Sequence, residues 1–221
     1  MQANVLDSDA EVQQFAEALS LPRLTRYLQE TSGDKRDALR LYLWNTQLSQ
    51  SLYLPLQIWE VLFRNKIDGF LRFRYGGDWP RSQRAMSELH GKDANKVSET
   101  IQRLESRYDS KVTTDMIVAD LTCGFWVSQI TAKYNVPYGW KSNIKFRVFT
   151  DNHSITREEA SDISDDLLDL RNRVAHHEPI FHLALPELRD DLNYLVKGMC
   201  GVTATILSQS CSFDSIWASR P

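Results

Sequence analysis

Arg171, Asn172, His176 and His177 form the only dense cluster of catalytic residue types in the chain. Cleavage of RNA without a metal needs a base for the 2′-hydroxyl, an acid for the leaving oxygen and positive charge for the phosphorane. A histidine near neutral pKa can serve as base or acid. An arginine stays charged and presents a bidentate fork to phosphate. Spacing attaches a condition. On a straight helix, at about 100° per residue, Arg171 and His176 lie about 140° apart. A shared site therefore requires the helix to end or unwind between them, or two copies to meet across a symmetric dimer. His177 satisfies the Arg-to-His spacing as well as His176 does. His176 is the favoured choice, and the spacing leaves both open.

The element that must position this cluster is well specified. Thr156-Arg157-Glu158-Glu159 reads as a capping box. Carboxylates crowd the first half of the helix and Arg171 and Arg173 fall late, as its macrodipole favours. Ile163, Leu167, Leu170 and Val174 supply one apolar face. Glu178-Pro179 stops the helix, because the residue before proline avoids helical geometry. The two histidines thus fall at or just past a helix C-terminus. Elsewhere apolar residues also recur at helical spacing and strand-like alternation is scarce, which makes the chain all-α. The pattern predicts helices over 9–19, 22–31, 34–52, 55–74, 92–108, 113–134, 157–176 and 186–208. Pro22, Pro55 and Pro186 sit where helices can begin. Gly76–Pro80 and Asn135–Gly139 read as loops.

Composition narrows the function classes. At 42% hydrophobic and 25% charged, the chain can bury a core without disulfides or metals. Cys123, Cys200 and Cys211 are odd in number and widely spaced, so they encode neither a disulfide framework nor a zinc site, and a reducing cytoplasm is expected. Met1–Asp7 has no leader character, and no apolar run approaches the roughly 20 residues a bilayer requires. A net charge of −3 argues against a nonspecific nucleic-acid coat. Its distribution is uneven: six bases face three acids between Glu60 and Arg84, and five bases face Asp151 alone between Lys133 and Arg157. Either block could line a local positive cleft, although solvated helix faces account for most such residues taken singly.

Other candidates are weaker. Glu60 and Arg64, one turn apart in an apolar stretch, suit a buried ion pair fixing helix register; the functional alternative has Arg64 and Asn65 lining the cleft. Phe125, Trp126 and Trp140 read as core aromatics. His90, His153 and His182 are isolated and read as surface or hydrogen-bonded histidines. Asp162, Asp165, Asp166 and Asp169 read as a solvated helix face rather than a metal site. No metal and no cofactor is expected.

Arg171-Asn172-Arg173-Val174-Ala175-His176 resembles the Arg-polar-x-x-x-His signature of HEPN ribonucleases. Leu170–Phe181, together with Trp59-Glu60-Val61-Leu62-Phe63-Arg64-Asn65 and Leu121-Thr122-Cys123-Gly124-Phe125-Trp126, is similar to the Abi-like (AbiD/AbiF) abortive-infection proteins. The resemblance covers most of residues 35–200. It implies a HEPN-type helical bundle over 34–210, with an N-terminal helical extension (1–33), a C-terminal tail (211–221) and dimerisation around the motif. It further implies a metal-independent endoribonuclease acting as a toxin or phage-defence effector. Arg171 would stabilise the phosphorane, His176 or His177 would be the acid or base, and Asn172 would orient them. Glu60, Arg64, Asn65 and Arg173 would bind RNA or support the site. The partners implied are an RNA substrate, or a guide or antitoxin RNA, a second copy of the chain and an antitoxin. The alternative is a non-catalytic RNA-binding or regulatory module in a defence or toxin–antitoxin system.

Overall fold

The computed structural model describes Leu6 and Ser8–Pro221, so most of the Met1–Asp7 segment read for leader character lies outside the described residues. The chain is all-α, with no strand among the described residues. In order come α1 (Asp9–Leu19), α2 (Leu21–Glu30), α3 (Lys35–Tyr75), α4 (Gln83–Glu88), α5 (Gly91–Tyr108), α6 (Thr114–Asp120) and α7 (Cys123–Ser128). After them follow the short α8 (Asn135–Tyr138) and α9 (Trp140–Asn143), a π-turn over Ile144–Val148, α10 (Arg157–Ala175), α11 (Leu185–Met199), α12 (Gly201–Ser210) and α13 (Phe213–Trp217). Among the described residues, no helix is long and apolar enough to cross a membrane.

Two compact units are present. The first gathers residues up to Pro55 with Leu170–Leu185 and Ser210–Pro221; the second gathers Leu56–Asp169 with Pro186–Gln209. In the first, Trp44 anchors α13: its Nε1 donates to the Ile216 carbonyl at 2.8 Å and its ring lies 5.7 Å from Trp217. Tyr27 of α2 is buried between Tyr42 and Phe181. In the second, Phe70, Tyr134, Tyr138 and Trp140 interlock, and the expected core aromatics Phe125, Trp126 and Trp140 are all buried.

The largest departure from the expected helices is α3, a single helix where two were expected, with Pro55 inside it. A mid-helix proline costs about 3 kcal/mol. The buried residues Trp44, Leu48, Leu52, Leu56, Trp59 and Phe63 keep one stripe going across Pro55, and each such side chain returns about 1.5–3 kcal/mol on burial. Continuity of the stripe therefore outweighs the missing hydrogen bond. The helices expected over 113–134 and 186–208 are instead broken. Thr122 caps α7, accepting from the Phe125 amide. Asp151 does the same for α12, its carboxylate accepting from the Gly201 amide at 2.8 Å. Gly198 permits the close approach of α11, because a Cβ there would collide with Ile155. Asn135–Gly139, read as a loop, is one helical turn ending at Gly139 in left-handed conformation (φ 59°).

Candidate active site

The first link in the site is the helix start. Glu159 N donates to Thr156 Oγ1 at 3.1 Å and Thr156 N donates to Glu159 Oε2 at 3.4 Å, the two halves of the capping box. From there α10 runs without interruption to Ala175. The His176 amide still donates to the Asn172 carbonyl at 2.9 Å. The helix then closes as a Schellman motif: His177 N donates to Val174 O at 3.2 Å and Glu178 N to Arg173 O at 2.8 Å. This geometry puts His177 in the left-handed region, at φ 58°. Glycine usually occupies that place, and a side chain there costs about 1–2 kcal/mol. Arg173 reaches over the turn to Glu178 at 3.2 Å.

Beyond the turn the chain is pinned by a residue with no part in the sequence reading. Buried Asn45 of α3 accepts through Oδ1 from the amides of Ile180 at 2.7 Å and Phe181 at 3.1 Å. Val174, Ile180 and Phe181 are buried, while His176, His177 and Glu178 are exposed. The histidines are thus held by backbone on both sides and presented to solvent. The sequence signal for Asn45 was a lone amide on the buried stripe of α3.

The helix does not unwind between Arg171 and His176, which removes one of the two ways they could meet. Within one chain helical register keeps them about 140° apart. The same register places His176 about 40° from Asn172 and about 60° from Arg173. Asn172, Arg173 and His176 therefore share one face, and Arg173 rather than Arg171 is the cation closest in register to the histidine. Glu60, Arg64 and Asn65 belong to the second unit. Glu60 and Arg64 are half-buried rather than buried, and Arg64 Nε donates to Asn65 Oδ1 at 3.2 Å.

Charge is handled differently from the expectation. Each arginine from Arg72 to Arg84 is drawn into ion pairs: Arg72 with Asp68 and Asp115, Arg74 and Arg84 with Glu88, Arg81 with Asp78 and Glu105. The arginines of that stretch are committed to acidic partners. In the block from Lys133 to Arg157, Lys133 pairs with Asp93 and Arg157 with Glu158. Unexpected cations appear in the first unit, where Arg23 and Arg26 of α2 line a cavity of about 740 Å³, broadly open to solvent, with Ser20, Pro22, Thr25, Gln29 and Pro179. Pro179 lies two residues after His177. Partial burial, then Arg26 and Arg173, hold the His182 imidazole below its ordinary pKa, with Glu30 opposing. His182, read as isolated, thus belongs to a cluster of positive charge that takes in both the cavity and the end of α10. On α10 burial, then Asp162, Asp166 and Asp169, raise the Asp165 carboxyl. Among the described residues, no group of His, Cys, Asp and Glu is placed to hold a metal ion.

No family model matches the chain, and neither a curated protein nor a solved structure matches it.

Proposed function

We propose that the protein is a metal-independent endoribonuclease of the cytoplasm, acting as an abortive-infection or toxin effector. The observation that carries this reading is the end of α10, where a Schellman turn with a strained non-glycine residue presents His176 and His177 to solvent beside Asn172 and Arg173. Strain of this kind persists where the surrounding structure holds it in place, and here Asn45 supplies that hold. One imidazole takes the 2′-hydroxyl proton as the 2′-oxygen bonds to phosphorus. The 5′-oxygen–phosphorus bond breaks and a second imidazole, as imidazolium, protonates the leaving oxygen. The products are a 2′,3′-cyclic phosphate and a 5′-hydroxyl, with no water consumed. Because Arg171 and His176 diverge within one chain, the phosphorane charge is met across a homodimer, with each motif completing its partner's.

The test is cleavage of end-labelled RNA in EDTA. His176→Ala/His177→Ala loses about 10²–10⁴-fold of the rate. Arg171→Ala and His176→Ala are each inactive, yet their equimolar mixture regains about a quarter of wild-type activity through mixed dimers. Intact RNA at high wild-type concentration, or cleavage by the double histidine variant, overturns the assignment.

The divergence of Arg171 and His176 equally favours a second reading, an RNA-binding or regulatory module without turnover that works with an antitoxin or guide RNA. It gives copurifying RNA and salt-sensitive binding with no cyclic-phosphate product.

A further inference from the structure

We infer that the cavity lined by Arg23, Thr25, Arg26, Gln29 and Pro179 is a phosphate subsite holding the backbone of a single RNA strand beside the histidine turn. The identity of the ligand as RNA rests on the function proposed above; the site itself rests on four observations. First, the lining is chemically suited to a phosphodiester. Two guanidinium groups stand three residues apart on α2, with the Gln29 amide supplying a neutral donor, while the Thr25 hydroxyl donates to the Leu21 carbonyl. Guanidinium forks match phosphate oxygens in pairs.

Second, these cations are not spent on the protein. Arg23 and Arg26 form no ion pair among the described residues. Elsewhere on the chain most arginines are claimed, including every one from Arg72 to Arg84. The acid nearest in sequence to Arg26, Glu30, is taken by Arg220 at 3.0 Å. Third, a neighbour lies in their field: partial burial first, then Arg26 and Arg173, disfavour the charged form of His182, with Glu30 opposing. Such a cluster pays a repulsive cost that a bound anion relieves. Fourth, the placement is fixed. Pro179 forms a wall of the cavity two residues from His177, and the next two amides are bonded to Asn45. An RNA strand in the cavity therefore passes the histidines.

The experiment measures binding of a fluorescein-labelled 12-nucleotide single-stranded RNA by anisotropy from 50 to 300 mM salt. It uses the full chain carrying His176→Ala/His177→Ala, so that cleavage cannot interfere. Arg23→Gln/Arg26→Gln in that background weakens binding, and the slope of log affinity against log salt becomes shallower by about 1.4, at about 0.7 for each lost phosphate contact on single-stranded RNA. Arg23→Lys/Arg26→Lys keeps most of the slope. A second readout is local: in an NMR titration, adding the RNA raises the His182 pKa, and Arg26→Gln raises it without RNA. An unchanged slope in the glutamine variant overturns the subsite even if the wild type cleaves RNA. A reduced slope with a wild type that never cleaves keeps the subsite and removes the ribonuclease. Binding of poly-glutamate in place of RNA, lost in the glutamine variant, overturns the nucleic-acid ligand in favour of an acidic protein partner.

Discussion

The two units treat the same kinds of residue in opposite ways. In the second, Asp93 is buried and receives bonds from Ser128 Oγ at 3.0 Å, Tyr134 Oη at 2.8 Å and Lys133 Nζ at 2.8 Å. Gln129 extends the network, accepting from Tyr138 Oη and, through its backbone carbonyl, from Trp140 Nε1. An acid, a lysine, a serine and two tyrosines make a catalytic-looking set, but the acceptors are saturated by the protein itself. In the first unit Arg23, Arg26, His176 and His177 are set at a surface and spend little on intramolecular bonding. A polar cluster that has satisfied itself serves the fold, whereas one left unsatisfied at a surface serves a ligand.

The strongest way to break this contrast is Asp93→Ala. Burial raises the Asp93 carboxyl, but Lys133, Tyr134 and Ser128 outweigh burial and hold it below the usual carboxylate range. Removing the acid strands Lys133 and the Tyr134 hydroxyl, while Ser128 keeps the Phe125 carbonyl, and costs about 3–4 kcal/mol of unfolding free energy by urea denaturation. Because the folded-state pKa is depressed, the stabilisation is complete above the unfolded-state pKa of about 3.9 and is lost as pH falls through the folded value. Variant and wild type therefore converge in stability under strong acid. A cost below about 1 kcal/mol at neutral pH would place Asp93 with the surface ion pairs instead.

Asn45→Ala probes the hinge between the two classes, since Asn45 is buried like Asp93 yet serves the exposed turn. Its loss leaves the Ile180 and Phe181 amides without an acceptor and costs about 2–3 kcal/mol. Tyr27, whose hydroxyl burial raises to about 12 with Asn45 hydrogen-bonding in opposition, loses a partner in the same step. Hydrogen exchange at Ile180 and Phe181 should accelerate far more than exchange in the second unit. Equal acceleration throughout would show that Asn45 supports global stability only.

What could be read from the sequence follows the range of each interaction. The capping box, the acidic first turn and the Glu178-Pro179 stop all act within a few residues, and α10 is found where they place it. Pro55 misled for the same reason: its local preference is a helix start, and the burial that overrides it is a property of the assembled core. Asn45 and Ile180 are 135 positions apart, and Pro179 meets the residues of α2 only through the fold, so the lone buried amide could be seen in the sequence but not what it anchors, and the arginines of α2 but not the proline beside them. The motif's residues and the end of α10 at Ala175 were legible for that reason, whereas the left-handed turn at His177 was not, because it depends on how the chain beyond is held.

The smallest expected effect separates the two histidines. His177 occupies the left-handed C′ position and His176 the residue before it. His177→Gly removes a side chain from a conformation only glycine adopts freely, and raises stability by about 1 kcal/mol. His176→Gly gains nothing of the kind, because that residue keeps its bond to Asn172. If cleavage falls with His177→Gly while stability rises, the strain at His177 is maintained for function, as stability–activity trade-offs predict. If cleavage survives His177→Gly and is lost in His176→Ala, the left-handed histidine belongs to the turn alone and His176 carries the chemistry. A variant no more stable than wild type would show that the His177 side chain makes compensating contacts, and would remove strain from the case for the site.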